Sequence, residues 1–201
     1  MKKTRRIYSE LGLQLCNEHP KRRVKAKLRE DRQEAVGPND VRAMDFVHDR
    51  LTTGRKLCIL TVVDTHSRFC PATDPRFTYR REDMVQTLER ICRQGGYPKT
   101  IRIDNSSEFI SRGLDHWAYA NDVTLDFLLR GKPTDSESIE ASNSKLRSEC
   151  PNAHWFLTLA DAREKLETRR RDYNEVRPHS AIGYNVPIAI HNSGGAVSPS
   201  P

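Results

Sequence analysis

No apolar run in the 201 residues approaches the roughly 20 that a membrane helix requires, so no membrane span is expected. The opening MKKTRRIYSELG carries basic residues but no apolar stretch behind them, and does not read as a secretory leader. The five cysteines (Cys16, Cys58, Cys70, Cys92, Cys150) are scattered, odd in number and without a CxxC pair, which argues against a zinc knuckle or a disulfide framework. The seven histidines show no HxxxH spacing, and no internal repeat is visible. These absences leave a soluble, cytoplasmic chain whose 36% hydrophobic content can bury one ordinary core.

What is present is positive charge, unevenly placed. The formal net charge is +7, and residues 1–37 hold eleven Lys/Arg against five Asp/Glu, so most of the excess sits at the front. A basic arm on a nearly neutral body suits a polyanion partner, because neutralising phosphates releases condensed counterions. A solvated basic linker is the plain alternative.

Ile7, Leu11 and Leu15 fall at helical spacing, and the charged stretch 21–40, ending Gly-Pro-Asn-Asp, reads as a linker. From Val41 the pattern turns to strands, expected near 43–47, 57–63 and 67–72, then a helix over 81–94 closed by Gly95-Gly96. A buried strand over 100–104, a helix over 108–121 and a strand over 123–128 follow. Helices are expected over 136–148 and 159–174, then a proline-punctuated stretch and a disordered tail over 193–201. This order suits an α/β fold, a mixed five-stranded sheet flanked by helices, over residues 41–192.

Two acidic residues stand in apolar strand sequence: Asp45 in Ala43-Met44-Asp45-Phe46-Val47, and Asp104 at the end of Thr100-Ile101-Arg102-Ile103-Asp104. An ionised carboxylate against a core is costly unless it meets a cation. For either residue alone, a salt bridge to arginine would answer. Glu140, in a polar helix candidate with 35 residues between it and Asp104, makes a third. Three converging carboxylates can bind magnesium, which prefers hard oxygen ligands, for in-line displacement at phosphorus.

The strings AMDFVHD, GRKLCILTVVDTHSR, IRIDNSSEF, LLRGKPTDSESIEASNSKLRSEC and DAREKLETRRRDYNEVRPHSAIGYNVP resemble, in order and spacing, the integrase-type core of transposases from the IS-three family of insertion elements. The resemblance covers roughly residues 1–190. It implies a ribonuclease-H-like fold with Asp45, Asp104 and Glu140 as catalytic, metal-holding residues, and Mg2+ (Mn2+ as substitute) as cofactor. It implies that Arg147, seven positions past the glutamate, contacts DNA, with Lys145 and Lys132 steadying phosphates. It further implies a DNA-strand-transferring enzyme of the bacterial cytoplasm and nucleoid, working as a homo-oligomer on transposon ends and target DNA. Residues 1–20 resemble the tail of a helix-turn-helix region and 21–40 its linker, so a partner polypeptide is expected to supply the rest of that module. Asp64 and Glu108 are acidic companions, read as structural or supporting.

Several positions depart from the family pattern. Arg42 and Arg169 stand where tryptophans are usual, Ser106 replaces a turn glycine, and Ser138 and Ala141 replace aromatics beside Glu140. These departures raise a rival: a catalytically impaired DNA-binding remnant that associates with a full-length transposase. A ribonuclease H acting on RNA–DNA hybrids is a weaker alternative, which the 35-residue gap and the RPHS segment disfavour.

Overall fold

A computed structural model of the chain describes residues 35–104, 109–127 and 156–193. The helices expected over 1–15 and 136–148, most of the linker and the tail after residue 193 lie outside the described residues. Three strands, β1 (Val41–Arg50), β2 (Lys56–Asp64) and β3 (Ala72–Arg76), precede helix α1 (Arg81–Gly95). Strand β4 (Thr100–Ile103), helix α2 (Arg112–Ala120), strand β5 (Thr124–Phe127), helix α3 (Leu159–Glu175) and the short helix α4 (Pro187–Ser193) follow.

The strands form one sheet in the order β3-β2-β1-β4-β5. β2 runs antiparallel to both β1 and β3, whereas β1, β4 and β5 are parallel. On one face Met44, Phe46, Leu60, Val62, Ile101, Ile103, Leu125 and Phe127 pack under α1 and α2. On the other, Val47, Leu57 and Ile59 meet Phe156, Ala162 and Leu166, and Val63 meets Tyr173, both clusters beneath α3. Helix layers on both sides explain why β2, Leu-Cys-Ile-Leu-Thr-Val-Val, is buried on both its faces and nearly continuously apolar.

Helix starts follow the capping chemistry. Ser111 Oγ accepts from the Leu114 amide at 3.1 Å and Thr158 Oγ1 from that of Asp161 at 3.1 Å. The helix expected from 108 therefore begins at 112. The third strand is displaced further: it was expected over 67–72 and runs over 72–76. The cause is Asp64, which is fully buried and accepts from both the amide and the hydroxyl of Ser67 at 2.7 Å, holding the chain in a loop after β2. Arg68 takes a left-handed φ of 62° in that loop. Pro75 then sits inside β3, which is tolerated because β3 is an edge strand and no ladder needs its missing N–H.

Within the stretch read as linker, residues 36–40 are bonded to the body. The Asn39 amide donates to Asp64 Oδ2 at 2.8 Å, and Lys99 pairs with Asp40 at 2.6 Å. At the other end α4 is docked by His191, whose ring stacks on Phe69 at 4.3 Å and whose Nδ1 lies 3.1 Å from Ser67 Oγ.

Of the two arginines standing where tryptophan is usual, Arg42 is only 1% exposed. Its guanidinium lies against the C-terminus of α1, donating to the Gly96 carbonyl at 3.0 Å, the Gly95 carbonyl at 3.4 Å and the Asn39 side chain. A helix C-terminus has unsatisfied carbonyls and negative dipole character, so it suits a cation. Burial pushes the guanidinium pKa below its ordinary value, opposed by Cys92 and Asp64. Arg169 is half-buried on α3.

Candidate active site at the sheet edge

The last paired rung between β1 and β4 is Met44 with Ile103. The next residues in the two parallel chains are Asp45 and Asp104, so the carboxylates start from neighbouring backbone positions one strand spacing, roughly 5 Å, apart. Alternation fixes the direction of Asp45: Met44 and Phe46 on either side are buried under α1 and α2, so Asp45 points to the opposite face. It is half-buried, and Asp104 is exposed.

Each position is braced by its surroundings. Asp45 Oδ1 accepts from the Phe46 amide at 2.8 Å, and Thr61, opposite it on β2, donates its hydroxyl to the Asp45 carbonyl at 3.1 Å. The Phe46 ring stacks on Phe109 at 4.8 Å. Phe109, five positions after Asp104 in the sequence, thus packs on the residue beside Asp45. Below Asp104, on the same side of β4, Arg102 pairs with its cross-strand neighbour Asp126 at 3.3 Å. Sequence reading missed this pair, although an Arg in apolar β4 and an Asp in apolar β5 are the signal for it.

Glu140, Arg147, Lys145 and Lys132 lie outside the described residues, as do Ser106, Glu108, Ser138 and Ala141. The flanks of that stretch are described. Phe127 ends β5 beside Ile103, and Phe156 forms a parallel bridge with Leu51 and accepts from the Thr52 amide at 2.8 Å. Phe127 thus lies beside the end of β4, and Phe156 lies beside Leu51, past the far end of β1. Among the described residues no group of three His, Cys, Asp or Glu side chains could hold a metal ion. Asp45 and Asp104 make two. Asp64, at the opposite end of the β1–β2 pairing, is a structural residue, enclosed by Ser67 and the Asn39 amide.

Two models of the integrase core domain match the chain, over residues 35–133 and 121–187. The chain is 41% identical over 202 residues to a 31.7 kDa protein of insertion element IS407 of Burkholderia multivorans, a match that covers all of this chain and 72% of that protein. The chain belongs to the integrase-core transposases of insertion elements. A 39.2 kDa protein of insertion element IS476 of Xanthomonas euvesicatoria is 36% identical over 185 residues, covering 90% of this chain and 52% of that one. The integrase core described here thus spans about half to three quarters of the insertion-element relatives it matches.

Solved structures agree on the fold. A simian T-cell lymphotropic virus intasome, in complex with a PP2A regulatory subunit, superposes with TM-score 0.66 at 18% identity, covering 84% of this chain and 59% of the viral one. The HTLV-2 integrase catalytic core domain, determined with magnesium in dimeric and trimeric forms, superposes with TM-scores of 0.58 and 0.60 at 16% and 18% identity. Those matches cover 79% of this chain and 99% of the viral domain. The expected ribonuclease-H-like architecture is therefore present. No described helix is long and apolar enough to cross a membrane.

Proposed function

We propose that this integrase core is the catalytic part of a metal-dependent polynucleotidyl transferase that cleaves insertion-element ends and joins them to target DNA. The observation that carries the reading is the juxtaposition of Asp45, within β1, and Asp104, just past the end of β4, where the parallel pairing of the two strands stops, on a chain of integrase-core descent. Both are hard oxygen donors, the class that Mg2+ prefers and Mn2+ accepts. Asp45 and Asp104 would hold the ion, and Glu140 would complete the set. Glu140 has 35 residues between it and Asp104 in the sequence, the separation that the resemblance leads one to expect.

When bound, the cation supplies neutralisation of the phosphate's charge and activation of the attacking oxygen. The protein's part is positional. Two carboxylates beside a phosphodiester repel it, so the same pair that recruits the cation keeps DNA from reacting without one. Arg147, Lys145 and Lys132 would steady the flanking phosphates. The attacking group is a water or a DNA 3′-hydroxyl, and no covalent protein intermediate is involved. In the synaptic complex several copies would act together, with a second polypeptide completing the helix-turn-helix module, in the bacterial cytoplasm on nucleoid DNA.

The impaired-remnant alternative is not kept. Arg42, a main reason for raising it, donates to the Gly96 carbonyl and the Asn39 side chain at the end of α1. Labelled duplexes bearing the element's terminal sequences should be nicked in magnesium or manganese, and the cuts should vanish in Asp104→Asn. Undiminished nicking by that variant rejects the assignment.

A further inference from the structure

We infer that Asp126 is a positioning residue for the cation site, holding the Arg102 guanidinium off Asp45 and Asp104. The inference rests on the metal-dependent reading above. Ala43, Arg102 and Asp126 form one rung across β1, β4 and β5. Ile101 and Ile103 on either side of Arg102, and Leu125 and Phe127 on either side of Asp126, are packed under α1 and α2. Alternation therefore turns Arg102 and Asp126 to the opposite face, the one to which Asp45 points.

Arg102 Nε donates to Asp126 Oδ2 at 3.3 Å, and the two side chains are only 19% and 10% exposed. Water screens such a pair weakly, so each charge depends on an opposite one nearby. Asp126 is not the sole carboxylate at hand. Asp104 follows Arg102 by two residues, about 7 Å at 3.3 Å per residue, and Asp45 is its diagonal neighbour on β1. Both separations are within reach of a long side chain. Ala43, directly across on β1, contributes only a methyl group to the space between.

Three carboxylates thus compete for one guanidinium. Arginine binds carboxylates through a planar fork of donors, and a guanidinium set between Asp45 and Asp104 would occupy the oxygens that a divalent cation needs. Being tethered to the same sheet, it would compete at a constant and high effective concentration. Asp126 biases the competition by its place. It lies on the side of β4 away from β1, so pairing with it draws the guanidinium from Asp45 toward β5. The pair is also net neutral, and so sets no uncompensated positive charge against an arriving cation.

The test is Mn2+ binding to the full chain by isothermal titration, without DNA, with Asp104→Asn marking which binding belongs to the site. Asp126→Asn should weaken that binding by about 10- to 100-fold, the usual cost of losing a partner that organises a metal site from outside the ligand set. Arg102→Gln/Asp126→Asn should bind within about threefold of Arg102→Gln, because Asp126 then has no guanidinium to hold. This second comparison leaves no orphaned arginine, so it decides the matter even where Asp126→Asn alone fails to fold. A weakening that persists undiminished in the Arg102→Gln background means that Asp126 acts by its own charge, and overturns the inference. Parental affinity in a folded Asp126→Asn overturns it too. Both results leave the metal reading standing. A parental chain that binds no manganese, or binds it equally well after Asp104→Asn, overturns the metal reading and this inference with it.

Discussion

Replacing Arg42 with alanine tests whether a buried cation can do the structural work of an aromatic residue. The truncation removes two buried methylenes beyond Cβ, about 1.6 kcal/mol at 0.8 per group. It also removes two good charge-assisted hydrogen bonds, to the Gly96 carbonyl and the Asn39 side chain, each about 1.5 to 3 kcal/mol. The contacts to the Gly95 carbonyl at 3.4 Å and Cys92 Sγ at 3.5 Å are long and add little. Asp64, fully buried and opposite Arg42 in the β1–β2 register, loses its nearby positive charge. Against these losses stands relief of the guanidinium's own desolvation, several kcal/mol, and of its Nε, which has no partner among the described residues. The balance is a destabilisation of about 3 kcal/mol, of the order found when one member of a buried pair is removed. For a chain of this size that is a fall of roughly 6 to 12 °C in the melting midpoint followed by circular dichroism. Arg42→Met keeps the stem's packing without the charge and should recover about half the loss. An alanine variant melting within about 3 °C of the parent would refute the reasoning, since the guanidinium would then only be offsetting its own desolvation.

Two further outcomes follow from buried polar contacts. Asn174 is 2% exposed and clamps the Cys70 backbone, its Oδ1 accepting from the amide at 2.8 Å and its Nδ2 donating to the carbonyl at 2.9 Å. Asn174→Ala strands the Cys70 amide and should cost about 2 kcal/mol by urea unfolding; a loss under about 0.5 kcal/mol would mean the loop re-forms around water. At Asp74, burial alone would raise the carboxyl, but Tyr79, Arg76 and Thr87 all donate to one oxygen and hold it below its ordinary range. Lys99 lowers Asp40 and Arg170 lowers Glu167 in the same direction. Folded carboxyls below their unfolded values contribute stability that is present above about pH 4 and lost as the pH falls through the folded values. The melting midpoint should therefore drop steeply under pH 4, and Asp74→Asn should flatten that drop; identical acid profiles for the two proteins would show that Asp74 is not a source.

The sheet was legible in the sequence wherever a strand or helix turned one consistent face to the core. The apolar run of β2, the helical spacing of Met84, Leu88 and Ile91 in α1, and the length of α3 all correspond closely to the observed elements. The third strand was not, because its placement depends on Asp64 engaging Ser67, a side-chain contact that no periodicity reports, and because Pro75 reads as a breaker unless the strand is known to be an edge. Asp45 and Asp104 stood out for a physical reason, charge set in apolar strand sequence, and their juxtaposition needed the parallel register.

That register also explains why two acidic residues are set side by side. Two unit charges at about the strand spacing of 5 Å would repel by roughly 3 kcal/mol at an effective dielectric near 20, and by less where Asp104 meets solvent. A one-residue slip of β4 would separate them, and it would also turn Ile101 and Ile103, both wholly buried, to the other face. Burying each isoleucine contributes about 1.5 to 3 kcal/mol, and the slip would further break Arg102 from Asp126 and disturb the Lys99 to Asp40 bridge that sets the strand's start. The hydrophobic term outweighs any such repulsion, so the core imposes the pairing. Under the catalytic reading a divalent ion would bind between the two carboxylates. Magnesium should then raise the melting midpoint of the parental chain and have little effect on Asp104→Asn, a difference set at the sheet edge and independent of any DNA.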